Sequence, residues 1–172
     1  MNFHFLDLLG PIVCLVSLVA TWKDINARYM LFCTLLSSLI GLLTLEWAMT
    51  KPILFYMWSM SISSLFVVFV FGRRYWAYKF QRVRFFTEAY EKHRYTPQEA
   101  ILLMISFICI LSNFITFIEV YLYWINWLEN AYYKLYVRDS LQKLMMILAS
   151  VVCFSFVFKI KRKSELNSQE IL

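Results

Sequence analysis

The side chains that could do chemistry are few, and three of them are carboxylates near the ends of long apolar runs. These are Asp7, Glu46 and Glu119. A charge within a membrane span is costly and marks a functional hypothesis, such as a mouth that attracts cations or a site that transfers a proton. Close to a span end, water lowers that cost, and salt bridges to nearby bases would account for the same residues. The sequence leaves both interpretations open.

A second group of polar residues shares one face of the fourth apolar run. At about 100° per residue, its polar side chains fall within a sector of about 140°. Such a face either points into a helix bundle, where Asn113 bonds a neighbouring helix for about 0.5–2 kcal/mol, or lines an aqueous path. Glu46 is expected at a depth in the membrane similar to that of Glu119. The candidates for a polar core or a pore are therefore Ser106, Ser112, Asn113, Thr116, Glu119 and Glu46.

The sequence does not combine these residues with a catalytic or metal-binding pattern. The four cysteines lie apart inside apolar runs without a C-x-x-C pair, and the two histidines, His4 and His93, fall in different segments. Neither arrangement predicts a zinc or haem site. Gly-rich phosphate loops and nucleophile elbows are also missing from the sequence. We therefore expect a non-enzymatic protein with no metal site and no cofactor.

The longest polar stretch, residues 73–97, combines basic and aromatic side chains. Its aromatic spacing is nearly helical, which predicts that the third apolar helix continues into this loop as a basic amphipathic extension. Aromatic residues nearly surround the extension, so it is a candidate surface for a cytoplasmic protein partner or a neighbouring subunit. An aromatic belt with bases on anionic headgroups is the alternative. The candidate partner-binding residues are Trp76, Phe80, Arg82, Arg84, Phe85, Phe86 and Tyr90.

The rest of the chain is almost continuous hydrocarbon, since 61% of its 172 residues are hydrophobic and 19% are aromatic. Five runs approach the ~20 residues that a helix needs to cross ~30 Å of hydrocarbon, and backbone in lipid must be helical to satisfy its own hydrogen bonds. We expect an all-α, polytopic membrane helix bundle in one domain, with spans at about 4–22, 29–49, 52–72, 98–124 and 140–159. Asp7 and the pair Gly10–Pro11 interrupt the first run. A four-span version with an interfacial first helix is therefore the alternative.

Basic residues are unequally divided between the two sides that this topology defines. Thirteen of the seventeen fall in the first connection, the 73–97 loop or the tail around 160–172, and four fall on the other side. The positive-inside rule places the loop and the tail in the cytoplasm and the amino terminus outside. This orientation explains the net charge of +6 without a nucleic-acid partner. We expect an integral protein of a bacterial inner membrane.

Local signals predict where two of the helices begin. Thr96 can cap the fourth apolar helix, Pro97 suits its first position, and the carboxylate of Glu99 can reach back as in a capping box. Asp139 can cap the fifth helix.

Small residues at four-residue spacing in the second run predict a helix–helix contact face, marked by Ser37 with Gly41 and Thr44 with Ala48.

Because the polar connections are too short for a soluble catalytic domain, we expect an oligomeric membrane subunit that acts as an anchor or a sensor. It would dock a cytoplasmic partner through the 73–97 loop. The alternative is an ion-conducting or membrane-permeabilising protein that uses the polar face of the fourth helix.

Overall fold

The computed structural model describes the backbone of residues 5–169 and the side chains of residues 8–158. Within that part of the chain all regular structure is helical, which confirms the predicted all-α class. The α-helices are α1 Phe5–Ala20, α2 Ile25–Met49, α3 Leu54–Phe71, α4 Arg73–Lys79, α5 Arg84–Glu91, α6 Pro97–Trp124 and α7 Asp139–Gln169. A π-helical turn, Lys134–Arg138, leads directly into α7.

Four of these segments are long and apolar enough to cross a membrane. They are α2, α3, α6 and the stretch Lys134–Phe158 that includes most of α7. Their length and composition indicate a multi-pass integral membrane protein. The first helix, α1, is apolar but has only 16 residues, or about 24 Å. A fifth span and the orientation in the membrane therefore stay predictions.

The five apolar helices close into a ring. Along this ring α1 contacts α2, α2 contacts α3, α3 contacts α6, α6 contacts α7, and α7 returns to α1. The two short helices, α4 and α5, contact each other at one end of the ring, where α5 also packs against α2. We call this the basic end. The connection 125–133 between α6 and the π turn lies at the opposite end.

The small-residue face of α2 meets α3, as its spacing predicts. A Cβ added at Gly41 would lie 3.6 Å from Cγ2 of Ile62, which is ordinary van der Waals contact. One turn further along, the indole Nε1 of Trp58 donates a 2.9 Å hydrogen bond to the hydroxyl of Thr44. Ala48 is buried on the same face. Packing of the Ile62 side chain at Gly41 and one polar bond thus join the two helices.

Two helices are longer than the spans predicted for them. α2 begins at Ile25, before the predicted start at 29, because the Asp24 carboxylate accepts hydrogen bonds from the backbone N–H groups of Asn26 and Ala27. α7 continues to Gln169, so much of the predicted tail 160–172 is helical. The side chains of that tail and of Asp7, and residue 4 of the first predicted span, lie outside the described residues.

The predicted helical extension of α3 is confirmed only as far as Lys79, and it is interrupted at Gly72. Gly72 separates α3 from α4, α4 ends at Lys79, and a turn at 80–83 precedes α5. A Cβ at Gly72 would lie 2.6 Å from the carbonyl oxygen of Val68 and 2.8 Å from Nε1 of Trp76. Glycine is required there because a side chain would collide with the Val68 carbonyl of the preceding turn and with the Trp76 indole. The turn at 80–83 then brings α5 back against α2.

Candidate functional site

The basic end is organised around a buried ion pair between α4 and α6. The guanidinium of Arg73 donates from Nη2 to Oε1 of Glu99 at 3.2 Å. Only 5% and 2% of the two side chains are exposed, so both charges are removed from solvent. Breaking such a pair leaves an uncompensated charge in the interior, whereas the intact pair offsets part of its own desolvation. The pair therefore fixes α4 against α6.

Arg73 is buried because it continues the core stripe of α3. Phe66, Val70, Arg73 and Ala77 follow one another at spacings of four, three and four residues, and all four are buried. The guanidinium stacks over the ring of Tyr29 at 4.4 Å from its centroid. A cation over an aromatic face gains electrostatic energy that partly replaces hydration. This repeat was the sequence signal for a core position, although Arg73 stands at the start of a polar loop.

Glu99 has a role that its position in the sequence did not predict. Thr96 does cap α6, since its hydroxyl accepts a hydrogen bond from the backbone N–H of Glu99 at 3.3 Å. The Glu99 carboxylate does not reach back to complete a capping box. Both of its oxygens lie 3.3 Å from Nε2 of His93, and one also accepts from Arg73. The carboxylate thus joins α4, the 92–96 segment and α6.

The segment between α5 and α6 is tied to the start of α2. The Asn26 side-chain amide donates to the carbonyl of Lys92 at 3.0 Å, and its oxygen accepts from the backbone N–H of Arg94 at 3.4 Å. On α5, Ala89 is fully buried, and the ring of Phe85 lies 5.9 Å from that of Tyr29. The predicted loop is therefore a fixed part of the fold.

The fixed loop leaves a cationic surface exposed. We call this surface the basic platform, and its exposed residues lie on α4, on the turn after it and at the start of α5. No acidic residue occurs between Gly72 and Glu88. On the surface itself, Arg84 and Glu88 form an ion pair at 3.9 Å, and such an exposed contact contributes little to stability. The platform comprises Arg74, Tyr75, Tyr78, Lys79, Phe80, Arg82 and Arg84.

The predicted partner-binding residues divide into two groups. Phe80, Arg82, Arg84 and Tyr90 are exposed. Trp76, Phe85 and Phe86 are only partly accessible because they pack inside the chain. Tyr75 and Tyr78 are more than half exposed and were not predicted, because they lie outside the apolar stripe of Trp76 and Phe80.

Trp76, Phe85 and Phe86 form a chain of ring contacts under the platform. Trp76 packs on Phe69 in a tilted arrangement with centroids 5.2 Å apart, and Phe80 stacks on Phe86 at 5.3 Å. Phe85 packs edge-on against Phe32 at 5.5 Å. These aromatic side chains pack beneath the basic platform and hold its exposed cations against the helix bundle.

At the opposite end, Glu119 caps the helix that leads into α7. Its two carboxylate oxygens accept from the backbone N–H groups of Tyr133 and Lys134 at 2.7 and 2.8 Å. These N–H groups belong to the first turn of a helix that begins at Tyr132, where an Ala at 131 offers no capping side chain. Glu119 supplies that acceptor from α6. Its carboxylate is held by these two backbone hydrogen bonds and not by the salt bridges to nearby bases that the sequence suggested.

Asp139 was predicted to cap this helix, but it already has helical dihedrals, φ −69° and ψ −38°. The helix starts earlier through the π turn, so Asp139 instead accepts a 2.8 Å bond from Arg138. Arg138 also points Nη2 at the Asn113 oxygen, 3.5 Å away, and lies 5.2 Å from the ring centroids of Phe55 and Tyr56. One arginine thus joins α3, α6 and the π turn.

The predicted polar face of α6 is largely covered by the same chain. Ser112, Asn113 and Thr116 are 2% exposed or less. Tyr133 donates to the Ser112 hydroxyl at 3.1 Å, while the Asn113 amide donates to the Cys109 carbonyl at 2.8 Å.

The two other residues of this candidate group lie apart from the polar network. Ser106 is half-buried and bonds the Leu102 carbonyl within its own helix. Glu46 is exposed and makes no hydrogen bond or salt bridge to any residue that the structure describes. The structure therefore joins Glu119 to the π turn and leaves Glu46 outside that contact.

In the part of the chain with described side chains, no three His, Cys, Asp or Glu residues are grouped as a metal site would require. The two polar clusters can hold helices together, and the basic platform can attract negative charge. Comparison with family models, with curated proteins and with solved structures finds no match to this chain.

Proposed function

We propose that this chain is a non-enzymatic membrane subunit, an anchor or sensor that docks an acidic protein on its basic platform. The observation that carries the proposal is the exposed charge of Arg74, Lys79 and Arg82, which forms no ion pair with any described side chain and lies beside exposed aromatic rings. Arginine and aromatic residues are enriched in protein interfaces, where they supply area and directed bonds. Complementary charge would steer an acidic partner to this surface and set its orientation.

The internal contacts of the platform support docking over a purely interfacial loop. A free loop would lose conformational entropy on binding. Here the Arg73–Glu99 pair and the Asn26 bonds already order the segment. A partner would therefore meet a preorganised surface.

The proposed orientation places the basic end in the cytoplasm. The excess of basic residues at that end supports it through the positive-inside rule. We also propose that α1 crosses the membrane as a fifth span, because it packs beside α2 and α7, both of which are long enough to cross.

The alternative of an ion path along α6 has less support, since Ser112, Asn113 and Thr116 are buried against the same chain.

Photocrosslinking in native membranes tests the docking function. A photoreactive residue at Tyr78, which is 76% exposed, should give a protein adduct, whereas one at Tyr132 at the opposite end should not give the same adduct. The double reversal Lys79→Glu/Arg82→Glu should abolish the adduct, and the matched reversal Lys51→Glu should leave it unchanged. The crosslinked protein should then bind the purified chain in phosphatidylcholine nanodiscs. Adducts to lipid alone, or a protein adduct indifferent to charge reversal, would refute the proposal.

A further inference from the structure

An open groove of about 720 Å³ runs along the outside of the helix ring at its basic end. It lies between α1, α2 and α5, away from the core of the platform. Its floor and walls are apolar, formed by Leu18, Phe32, Leu35 and Phe85, and its charged residues are Arg28, Arg84 and Glu88. Trp22 completes the lining. The groove is apolar along its length and cationic at one end. This order matches an anionic phospholipid, which has apolar acyl chains below a charged headgroup.

The cations gather at the end of the groove where α2 begins. Arg28 lies one turn into α2, whereas Phe32 and Leu35 follow further along the same helix. From Arg28 to Leu35 the helix rises about 10 Å. That is about two thirds of the ~15 Å that one leaflet contributes to a ~30 Å hydrocarbon core. The groove can therefore accommodate a large part of an acyl chain below a headgroup.

Arg28 is held in place but retains donors. Its guanidinium lies between two rings, 5.3 Å from the centroid of Trp22 and 5.2 Å from that of Phe85. Its hydrogen bond is a long one, from Nη1 to the carbonyl of Trp22 at 3.5 Å, and its Nε is buried without a partner. A guanidinium carries five N–H donors in a planar fork that matches phosphate oxygens. The two rings hold the guanidinium in place, and its terminal N–H groups have only the long bond to Trp22 among the described residues, which leaves donors for an acceptor in the groove.

The charge balance of the groove favours an anion. Arg28 and Arg84 face one carboxylate, Glu88, which is already 3.9 Å from Arg84. The Arg84 side chain is 93% exposed and free to reorient. A phosphodiester between the two guanidiniums would be held by charge-assisted bonds, which are about twice as strong as neutral ones.

We propose that this groove binds one anionic phospholipid, with its phosphodiester on Arg28 and Arg84 and an acyl chain along Leu18, Phe32 and Leu35. The groove shares Arg84 with the basic platform, but Arg28 and the apolar wall lie outside the platform, and the docking test uses Lys79 and Arg82 instead. Failure of one proposal would leave the other standing. Among the described basic residues, Arg28 would be the one specific to the lipid site.

Native mass spectrometry of the full chain in a neutral detergent tests the proposal. Dioctanoyl phosphatidylglycerol should add one saturable adduct. Dioctanoyl phosphatidylcholine, with the same chains, and glycerol 3-phosphate, with the phosphate alone, should bind at least tenfold more weakly. Equal binding of phosphatidylcholine would show that the groove does not recognise charge, and equal binding of glycerol phosphate would show a free-phosphate site. Either result would overturn the proposal.

Two variants separate recognition from folding. Arg28→Gln should weaken the phosphatidylglycerol adduct at least tenfold by removing the cation, and Leu35→Trp should do the same by filling the groove. Lys51→Gln, at the opposite end, and Leu39→Trp, an exposed α2 residue outside the groove, are the matched controls and should bind normally. Thermal melting without lipid checks that each variant is folded. Unchanged binding by either folded groove variant contradicts the assignment.

Discussion

Arg73 and Glu99 are separated by 26 residues, yet they form a 3.2 Å ion pair in the interior of the basic end. The pair joins the start of α4 to the first turn of α6, and its arginine packs on Tyr29 of α2. Three helices therefore meet at one pair of opposite charges. The position of the basic platform depends on this contact.

Removing only the arginine should be costly. Arg73→Met leaves the Glu99 carboxylate buried without its main partner, and we expect a loss of about 3–5 kcal/mol in the free energy of unfolding. The double variant Arg73→Met/Glu99→Leu should recover much of that loss, because it removes both desolvated charges. Chemical denaturation in detergent micelles measures these differences. The neighbouring Arg74→Met, at an exposed position, is the control and should stay within about 0.5 kcal/mol of the parent.

Glu119 should matter more than Glu46, although both were predicted to lie near the same side of the membrane. Glu119→Ala deprives two backbone N–H groups of their acceptor and should destabilise the fold by about 1–2 kcal/mol. Glu46→Ala removes an exposed side chain and should have little effect. Hydrogen exchange at Tyr133 and Lys134 should accelerate in the first variant only. Equal effects of the two substitutions would refute the capping role.

Gly72 should not tolerate a side chain, whereas Gly41 should. Gly72→Ala would bring a Cβ within 2.6 Å of the Val68 oxygen and force α4 to shift. We expect a lower melting temperature and greater protease sensitivity in the 73–97 segment. In Gly41→Ala the new methyl meets Ile62 at 3.6 Å, and the lower entropy of the unfolded chain should leave stability unchanged or raised by about 0.4–1 kcal/mol. Normal proteolysis of the Gly72 variant would contradict this.

The sequence predicts the long helices well because their signal is a run of apolar residues, which any bilayer-spanning helix must have. It also predicts the Thr96 cap and the contact face of α2 at Gly41, although not that α3 is its partner, since each depends on residues close together in the chain. The contacts of Arg73, Glu99, Glu119 and Arg138 are different. Each joins residues that are far apart or depends on where a helix starts, and local spacing does not specify such pairings.

The 73–97 loop illustrates the same limit. Its aromatic spacing predicts a straight extension of α3, but Gly72 and the turn at 80–83 redirect the chain so that Phe85 can pack on Tyr29. Burial of that ring and of Ala89 favours the folded-back arrangement over an extended helix in water. The repeat Phe66, Val70, Arg73 and Ala77 is a local signal that Arg73 faces inward, which was not among the predictions. It does not identify Glu99 as the partner.

Vesicles containing the purified chain should hold an imposed K⁺ gradient. The polar face of α6 is filled by Tyr133 and Arg138 of the same chain, which leaves Asn113 with no exposed surface. The gradient should decay at the rate of protein-free vesicles, measured by a potential-sensitive dye. Rapid decay that Asn113→Leu abolishes would instead support the ion-path alternative.

Labelling of single cysteines measures most directly whether the basic platform faces the cytoplasm. Gln81 lies at the basic end and Asn130 at the opposite end, and both are exposed. With a membrane-impermeant maleimide, Asn130→Cys should react in intact cells, and Gln81→Cys should react only after permeabilisation. The parent chain, whose four cysteines are buried or half-buried within helices, is the control for background. Reaction of Gln81→Cys in intact cells would contradict the account, because no cytoplasmic partner could then reach the platform.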